Sequence, residues 1–140
     1  MVTSHPATRL RLARTALAVL RFGLATVFIW FGVLKVSGDS PVADLLAETF
    51  PFIDRHLLVP ALGAAEIGLG AAVMIVRRWP VVPVGLIAHL CGTFVTFALV
   101  PDRMFRHGNL LLLSADGEFV VKNLVLVGAA LVLATVPAPR

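Results

Sequence analysis

Residues 21–36, RFGLATVFIWFGVLKV, constrain the fold more than any other part of this chain. The segment is apolar apart from a cation near each end, Arg21 and Lys35. At about 100° per residue, the two cations share one face of a helix with Ala25, Phe28 and Gly32. A charge that faced lipid would cost several kcal/mol, whereas one that faces the inside of a protein bundle can find a partner. The segment therefore predicts a membrane-spanning helix that turns its charged face toward other helices of the chain.

The composition also favours a membrane protein. Of the 140 residues, 59% are hydrophobic, against about 45–50% in soluble domains, and the mean hydropathy is +0.94. The formal charge of +4 comes largely from basic residues beside apolar segments. That distribution is typical of membrane orientation signals and not of nucleic-acid binding. The single cysteine, Cys91, excludes a disulfide framework or a CxxC redox pair within the chain.

Hydropathy and length predict a single membrane domain, residues 1–140, with four spans at about 15–36, 57–76, 81–100 and 119–136. Pro41 and the apolar spacing after it predict a short amphipathic helix at about 41–50, on the membrane surface. The N-terminal arginines, Arg77, Arg78 and Arg140 all fall on one side, which predicts that both termini are cytoplasmic. We expect an all-α, multi-pass four-helix bundle integral to the inner (plasma) membrane, in contact with the lipid bilayer.

The second span has two distinct faces. One carries Val59, Gly63, Glu66, Gly70 and Val73. The other carries the small residues Ala64, Gly68 and Ala72, a pattern that lets helices approach closely in lipid.

Residues 101–118 form the predicted loop between the third and fourth spans. Its apolar run, residues 110–113, is too short to cross a membrane. It is therefore either a buried extended segment or one that dips into the membrane interface. Asp116 and Gly117 are a turn signal.

The polar residues of the spans fall at two depths. Counting from the span ends at about 1.5 Å per residue places Glu66 and His89 near the midplane, with Arg21 one or two turns to the cytoplasmic side. We predict that these three form one buried polar cluster. A second, outer cluster contains Lys35, Thr96, Lys122 and Asn123.

Each cluster has a structural and a functional interpretation. Arg21 and Glu66 could be an ion pair that sets helix register, or part of a proton relay or a site for a polar headgroup. His89 could be a neutral imidazole bonded to Glu66 or a threonine. Lys35 and Lys122 could extend to the outer headgroups. No catalytic motif and no metal-ligand spacing is present in the sequence, so we assign no catalytic or metal-binding residues, and whether the protein is an enzyme stays open.

Three short motifs point to a known family. The first is W-x-G-x-x-K in residues 29–35, IWFGVLK, after the arginine at 21. The second is G-x-x-E in residues 63–68, GAAEIG. The third is K-N after a glycine and apolar residues, in residues 116–124, DGEFVVKNL. In their order across the four spans, these motifs resemble the DoxX-like superfamily, most closely its YkgB-type branch. His89 is not part of that pattern.

The resemblance implies a small inner-membrane protein whose shared site includes Arg21, Lys35, Glu66 and Lys122. Family members have been linked to quinone-reducing enzymes, as a small subunit, and to oxidative-stress complexes. We therefore expect a non-catalytic subunit or accessory of a redox or oxidative-stress defence system. Its candidate ligand is a quinone, and its candidate partner is a membrane redox protein. The alternatives are a quinone-reactive oxidoreductase subunit, with Glu66 and His89 as proton carriers, and a small-solute or proton transporter that acts as a homo-oligomer.

Overall fold

The computed structural model describes residues 6–76 and 79–136. Arg77, Arg78 and Arg140, on which the predicted orientation partly rests, lie outside these ranges. The described residues contain four helical segments long and apolar enough to cross a membrane. In chain order, the first to fourth of these candidate spans are Ala7–Ser37, Arg55–Ile75, Val81–Leu99 and Ala115–Thr135. The prediction of a mainly helical chain with four candidate spans is therefore confirmed.

The first span is formed by α1 (Pro6–Ser37), which begins well before the predicted start at residue 15. The N-terminal segment, PATRLRLART, is rich in alanine, leucine and arginine, which are all good helix formers. The helix therefore includes residues before the predicted span, where Arg9, Arg11 and Arg14 are exposed.

The second span is α3 (Arg55–Ile75), which follows the short helix α2 (Ala43–Thr49). The Asp54 side chain accepts a hydrogen bond from the backbone N–H of His56 and so caps the start of α3. The buried residues of α3 are the five that the sequence placed on one face: Val59, Gly63, Glu66, Gly70 and Val73. This face packs against α1.

The third and fourth spans are both interrupted. The third consists of α4 (Val81–Thr93) and α5 (Thr96–Leu99), with two turn residues between them. The fourth consists of α7 (Ala115–Val121) and α8 (Asn123–Thr135), separated at Lys122. Asp116 and Gly117, expected in a turn, lie inside α7, where the Ser114 side chain accepts from the Gly117 N–H and caps the helix.

A small amount of β structure departs from the all-α prediction. After α6 (Pro101–Met104), strands β1 (Phe105–Arg106) and β2 (Asn109–Leu113) form an antiparallel hairpin. The turn residues His107 and Gly108 have positive φ, 54° and 67°, as a tight two-residue hairpin turn requires. The predicted extended run at 110–113 is thus a strand, and its first three leucines are exposed.

Apolar side chains pack into two clusters. The larger lies among the four spans, around Phe28, Val73, Leu86 and Ala130. The smaller joins α2 to α6 and α7 through Leu45, Met104 and Val120. Since α1 ends and α3 begins beside α2, the second cluster closes one end of the helical bundle.

Candidate functional site

A glutamate at the centre of the bundle binds side chains from two other spans. The Glu66 carboxylate lies 2.7 Å (Oε2) and 3.0 Å (Oε1) from Lys35 Nζ of α1. Its Oε1 atom is also 3.0 Å from His89 Nε2 of α4. The exposed fractions of the Lys35, Glu66 and His89 side chains are 6%, 11% and 17%. A single carboxylate therefore connects the first three spans in a nearly buried polar network.

Lys35 and Glu66 meet because α1 and α3 approach each other through glycines. A Cβ atom on Gly32 would lie 2.5 Å from the Gly63 carbonyl oxygen, and one on Gly63 would lie 2.6 Å from that of Gly32. Only glycine permits backbones this close. Glu66 follows Gly63 by three residues, about one helical turn, so the long lysine side chain reaches its carboxylate.

The side-chain amide of Asn123 connects the fourth span to a polar residue of the third. Asn123 Nδ2 donates to Thr93 Oγ1 (2.9 Å), exactly where both the third and the fourth spans are interrupted. Thr93 in turn donates to the Leu90 carbonyl, and Thr96 to the Thr93 carbonyl. Bonds of this kind satisfy backbone groups that an interruption frees from the helix. Every candidate span therefore contributes to one of two polar contacts, and α4 takes part in both.

A pocket of about 830 Å³ lies beside these contacts. Its wall includes residues of all four spans and of α2, and most are aliphatic or aromatic, such as Phe28, Phe31 and Leu126. Lys35, Glu66 and His89 form one polar part of the wall; Thr93, Thr96, Lys122 and Asn123 form the other. An apolar cavity of a few hundred cubic ångströms with a few converging polar groups is typical of small-molecule sites.

The pocket wall carries hydrogen-bond donors that no described residue uses. Lys35 directs its ammonium at the two Glu66 oxygens and retains a third N–H. Lys122 lies exposed at the wall, and no hydrogen bond or ion pair from the described residues reaches its ammonium group. Asn123 uses one amide N–H on Thr93 and retains the other. The site therefore suits a ligand with acceptor oxygens, such as carbonyl or carboxylate groups.

The structure regroups the residues that the sequence divided into two clusters. Glu66 and His89 are in contact, but the cation bound to Glu66 is Lys35, from the predicted outer cluster. Arg21 donates instead to the backbone carbonyls of Val73 and Val76 (3.4 Å for the latter). Val73 is seven residues beyond Glu66, about 10 Å along the helix. Glu66, His89 and the whole predicted outer cluster thus lie in the wall of one pocket, whereas Arg21 lies away from it at the far end of α3.

Sequence reasoning missed the contribution of α2 to this pocket. Val42, Leu45, Leu46 and Phe50 contribute to its wall, and Val42 and Leu45 are buried. The apolar face that predicted a surface helix was the signal for this role. Instead of facing lipid headgroups, that face packs over the end of the bundle.

Arg103 connects α2 to the fourth span. Its Nε and Nη2 atoms donate to Asp116 Oδ2 (3.0 and 2.8 Å), and Nη1 donates to Glu48 Oε1 of α2 (2.8 Å). The hydrogen bond to Asp116 raises the pKa of Arg103, which adds to the strong preference of any guanidinium for its charged form. We call the ion pairs of Arg103 with Glu48 and Asp116 the Arg103 clasp. The sequence carries no signal for it, because the three residues are far apart in the chain.

Replacing Arg103 by glutamine is expected to loosen α2 without unfolding the bundle. The three side chains are between 24% and 49% exposed, so the clasp contributes less than about 1 kcal/mol. Amide hydrogen exchange should accelerate in residues 43–49 and stay unchanged in α3. The same substitution at Arg106, on the exposed hairpin, should have no such effect. Equal exchange in both variants would show that the clasp does not hold α2.

Residues 6–76 and 79–136 contain no group of three or more His, Cys, Asp or Glu side chains that could hold a metal ion. No protein-family model, curated protein sequence or solved structure matches this chain. The polar network and its pocket therefore carry the functional argument.

Proposed function

We propose that this chain is a four-span inner-membrane protein of the DoxX-like type whose pocket binds a quinone. In this role it acts as an accessory subunit of a membrane redox or oxidative-stress defence system. The observation that supports the proposal is the apolar pocket of about 830 Å³ with the Lys35–Glu66–His89 network in its wall.

Membrane insertion is supported by the outward faces of the helices. Large apolar residues such as Val19, Phe22 and Trp30 are between 63% and 67% exposed on α1. The charged residues Lys35 and Glu66 are buried. An apolar exterior around a polar interior is the arrangement expected in lipid. The exposed arginines at 9, 11 and 14 favour a cytoplasmic N-terminus by the positive-inside rule.

A quinone has the chemical features that this pocket would bind. Its ring carbonyls are acceptors for the unused donors of Lys35, Lys122 and Asn123. The ring and an isoprenoid tail would lie against the aromatic and aliphatic wall, which includes the Phe31–Phe119 edge-to-face pair (5.4 Å between ring centroids).

Filling the pocket is expected to abolish quinone retention. Ala88 contributes to the pocket wall, so Ala88→Trp would place an indole in the ligand's space. Ala64 is exposed on α3 and absent from that wall, which makes Ala64→Trp the matched control. In nanodiscs loaded with a short-tailed benzoquinone or naphthoquinone, we expect Ala88→Trp to weaken binding at least about tenfold. The readout is bound quinone per protein after removal of free ligand. Equal retention by both variants and the wild type would overturn the proposal.

The Glu66–His89 contact favours one second candidate, a quinone-reactive oxidoreductase subunit. Reduction of a quinone to a quinol takes up two electrons and two protons. The electrons would come from a partner oxidoreductase, and Glu66 and His89 would deliver protons to the ring oxygens. If so, Glu66→Gln abolishes turnover of the assembled complex while the protein stays folded and retains quinone. Unchanged turnover would exclude the proton-carrier role and leave the accessory function.

A further inference from the structure

The hairpin after the third span contains three leucines that have no partner in its described β ladder. In the ladder, Phe105 lies opposite Leu113, and Arg106 lies opposite Asn109. One step along β1 therefore matches four steps along β2, and residues 110–112 bulge out of the pairing. Leu110, Leu111 and Leu112 are 73%, 90% and 49% exposed. Consecutive exposed leucines in a structured segment indicate a contact surface.

The geometry of the bulge distinguishes lipid from a protein partner. In an extended segment, successive side chains point to opposite sides. Because three neighbours in sequence are all exposed, apolar surface is present on both sides of the segment. A folded partner docked on one face would cover alternate leucines, whereas a fluid lipid environment surrounds both faces.

The base of the hairpin is firmly held at the ends of two spans. The Ser114 backbone N–H donates to the Met104 carbonyl (2.9 Å), and its hydroxyl donates to the Arg103 carbonyl. Met104 is fully buried. Five residues separate the end of the third candidate span from the hairpin, which finishes just before the fourth begins. A bilayer crossed by these helices would have its surface at this level.

The polar groups of the hairpin limit how deeply it can enter the membrane. Unpaired backbone amides are not tolerated in the hydrocarbon core, but lipid carbonyls and water can satisfy them in the interface. The Leu111 N–H is already bonded to the Asn109 side chain (2.9 Å). At the turn, the exposed Arg106 supplies a positive charge that complements lipid phosphates.

We propose that residues 110–112 are immersed in the interfacial region of the membrane leaflet at the end of the bundle that carries α2. The three leucines act as a lipid anchor between the third and fourth spans, with Arg106 at the headgroups. This inference rests on the membrane insertion proposed above and is independent of the pocket and its ligand.

Spin labelling tests this immersion directly. Cys91 is the only cysteine, so Cys91→Ala provides a background for single cysteines at 110, 111 and 112. The full chain is reconstituted in vesicles of phosphatidylcholine and phosphatidylglycerol, and label accessibility to oxygen is compared with that to a water-soluble nickel chelate. Val19→Cys, on the exposed face of α1, is the lipid control. Asp102→Cys, exposed before the hairpin, is the aqueous control. We expect the oxygen-to-nickel ratio at all three leucine positions to shift from the aqueous value toward the lipid value.

Other outcomes would overturn the proposal in distinguishable ways. Nickel accessibility at all three positions, with Val19→Cys in lipid, would place the hairpin in water. Protection that differs at 111 from that at 110 and 112 would indicate a protein bound to one face. Spin–spin broadening that disappears on dilution with unlabelled chain would indicate contact between two copies. A water-accessible Val19→Cys label would refute membrane insertion and the anchor together.

Discussion

Lys35→Met is expected to destabilise the protein by about 3 kcal/mol, because it leaves the Glu66 carboxylate buried without its cation. The lysine and glutamate side chains are only 6% and 11% exposed and lie 2.7 Å apart. Loss of one partner of such a pair typically costs about 3–5 kcal/mol. The lower figure applies here because His89 remains within hydrogen-bond distance of Glu66. The measurement is the free energy of unfolding in mixed detergent micelles, followed by circular dichroism.

A second substitution should recover most of the loss. In the double variant Lys35→Met/Glu66→Gln, the residual carboxylate is replaced by a neutral amide of the same shape, which can still bond His89. Together with the single variant Glu66→Gln, these two variants complete a double-mutant cycle that measures the coupling between Lys35 and Glu66. Equal destabilisation of the single and double variants would show that lysine packing, and not charge, determines the effect.

The chain offers a matched control pair on its surface. Arg55 and Asp44 lie 2.6 Å apart, but their side chains are 50% and 65% exposed. Since solvent screens such pairs, Arg55→Gln should cost less than about 1 kcal/mol. If Arg55→Gln and Lys35→Met cost the same, burial does not determine the strength of the Lys35–Glu66 pair.

The buried face of each of the first two spans could be predicted from the sequence. The face of α1 that holds Ala25, Phe28, Gly32 and Lys35 is buried, while Trp30 on the opposite side is 67% exposed. The same holds for the Glu66 face of α3, whereas Gly68 on the other face has open space beside it. A regular helix fixes the angles between its residues, so one buried charge identifies the whole face.

The partner of Glu66 could not be predicted in the same way. A depth counted from predicted span ends places Lys35 near the membrane surface, because it is close to the end of the first span. The contact depends on the relative shift of α1 and α3, which the Gly32–Gly63 approach sets. A lysine side chain is also about as long as one helical turn. A small error in the predicted depth is therefore enough to select Arg21 instead of Lys35 as the cation that binds Glu66.

The hydropathy of the sequence also could not predict the interrupted helices or the hairpin. The apolar character continues through Phe94 and Val95, so no change of composition marks the gap between α4 and α5. One side chain that stabilises the gap is distant in sequence, because Asn123 donates to the Thr93 hydroxyl, and the other is local, because Thr96 donates to the Thr93 carbonyl. The contact between residues 93 and 123 exists only once the two spans have packed together.

Gly63→Ala is expected to destabilise the protein by about 3 kcal/mol, the upper end of the range for overpacking. Its added methyl group would lie 2.6 Å from the Gly32 carbonyl oxygen and 2.7 Å from Lys35 Cβ. Neither atom is at the end of a flexible side chain, so α1 and α3 must move apart. That movement would also lengthen the Lys35–Glu66 contact, and quinone binding should therefore weaken together with stability. The unfolding free energy and quinone retention are measured on the same nanodisc or micelle preparations.

Gly68→Ala, on the same helix, is the control with the opposite expected sign. Nothing lies within 4 Å of a Cβ atom on Gly68. Alanine is favoured over glycine in a helix interior by about 1 kcal/mol, so this variant should be as stable as the wild type or more stable. Destabilisation by both substitutions would mean that the exposed small-residue face of α3 is itself packed against something in the membrane. If neither substitution destabilises the protein, α1 and α3 are farther apart than the Gly32–Gly63 contact implies. The Lys35–Glu66 pair would then lack the geometry on which the proposed site depends.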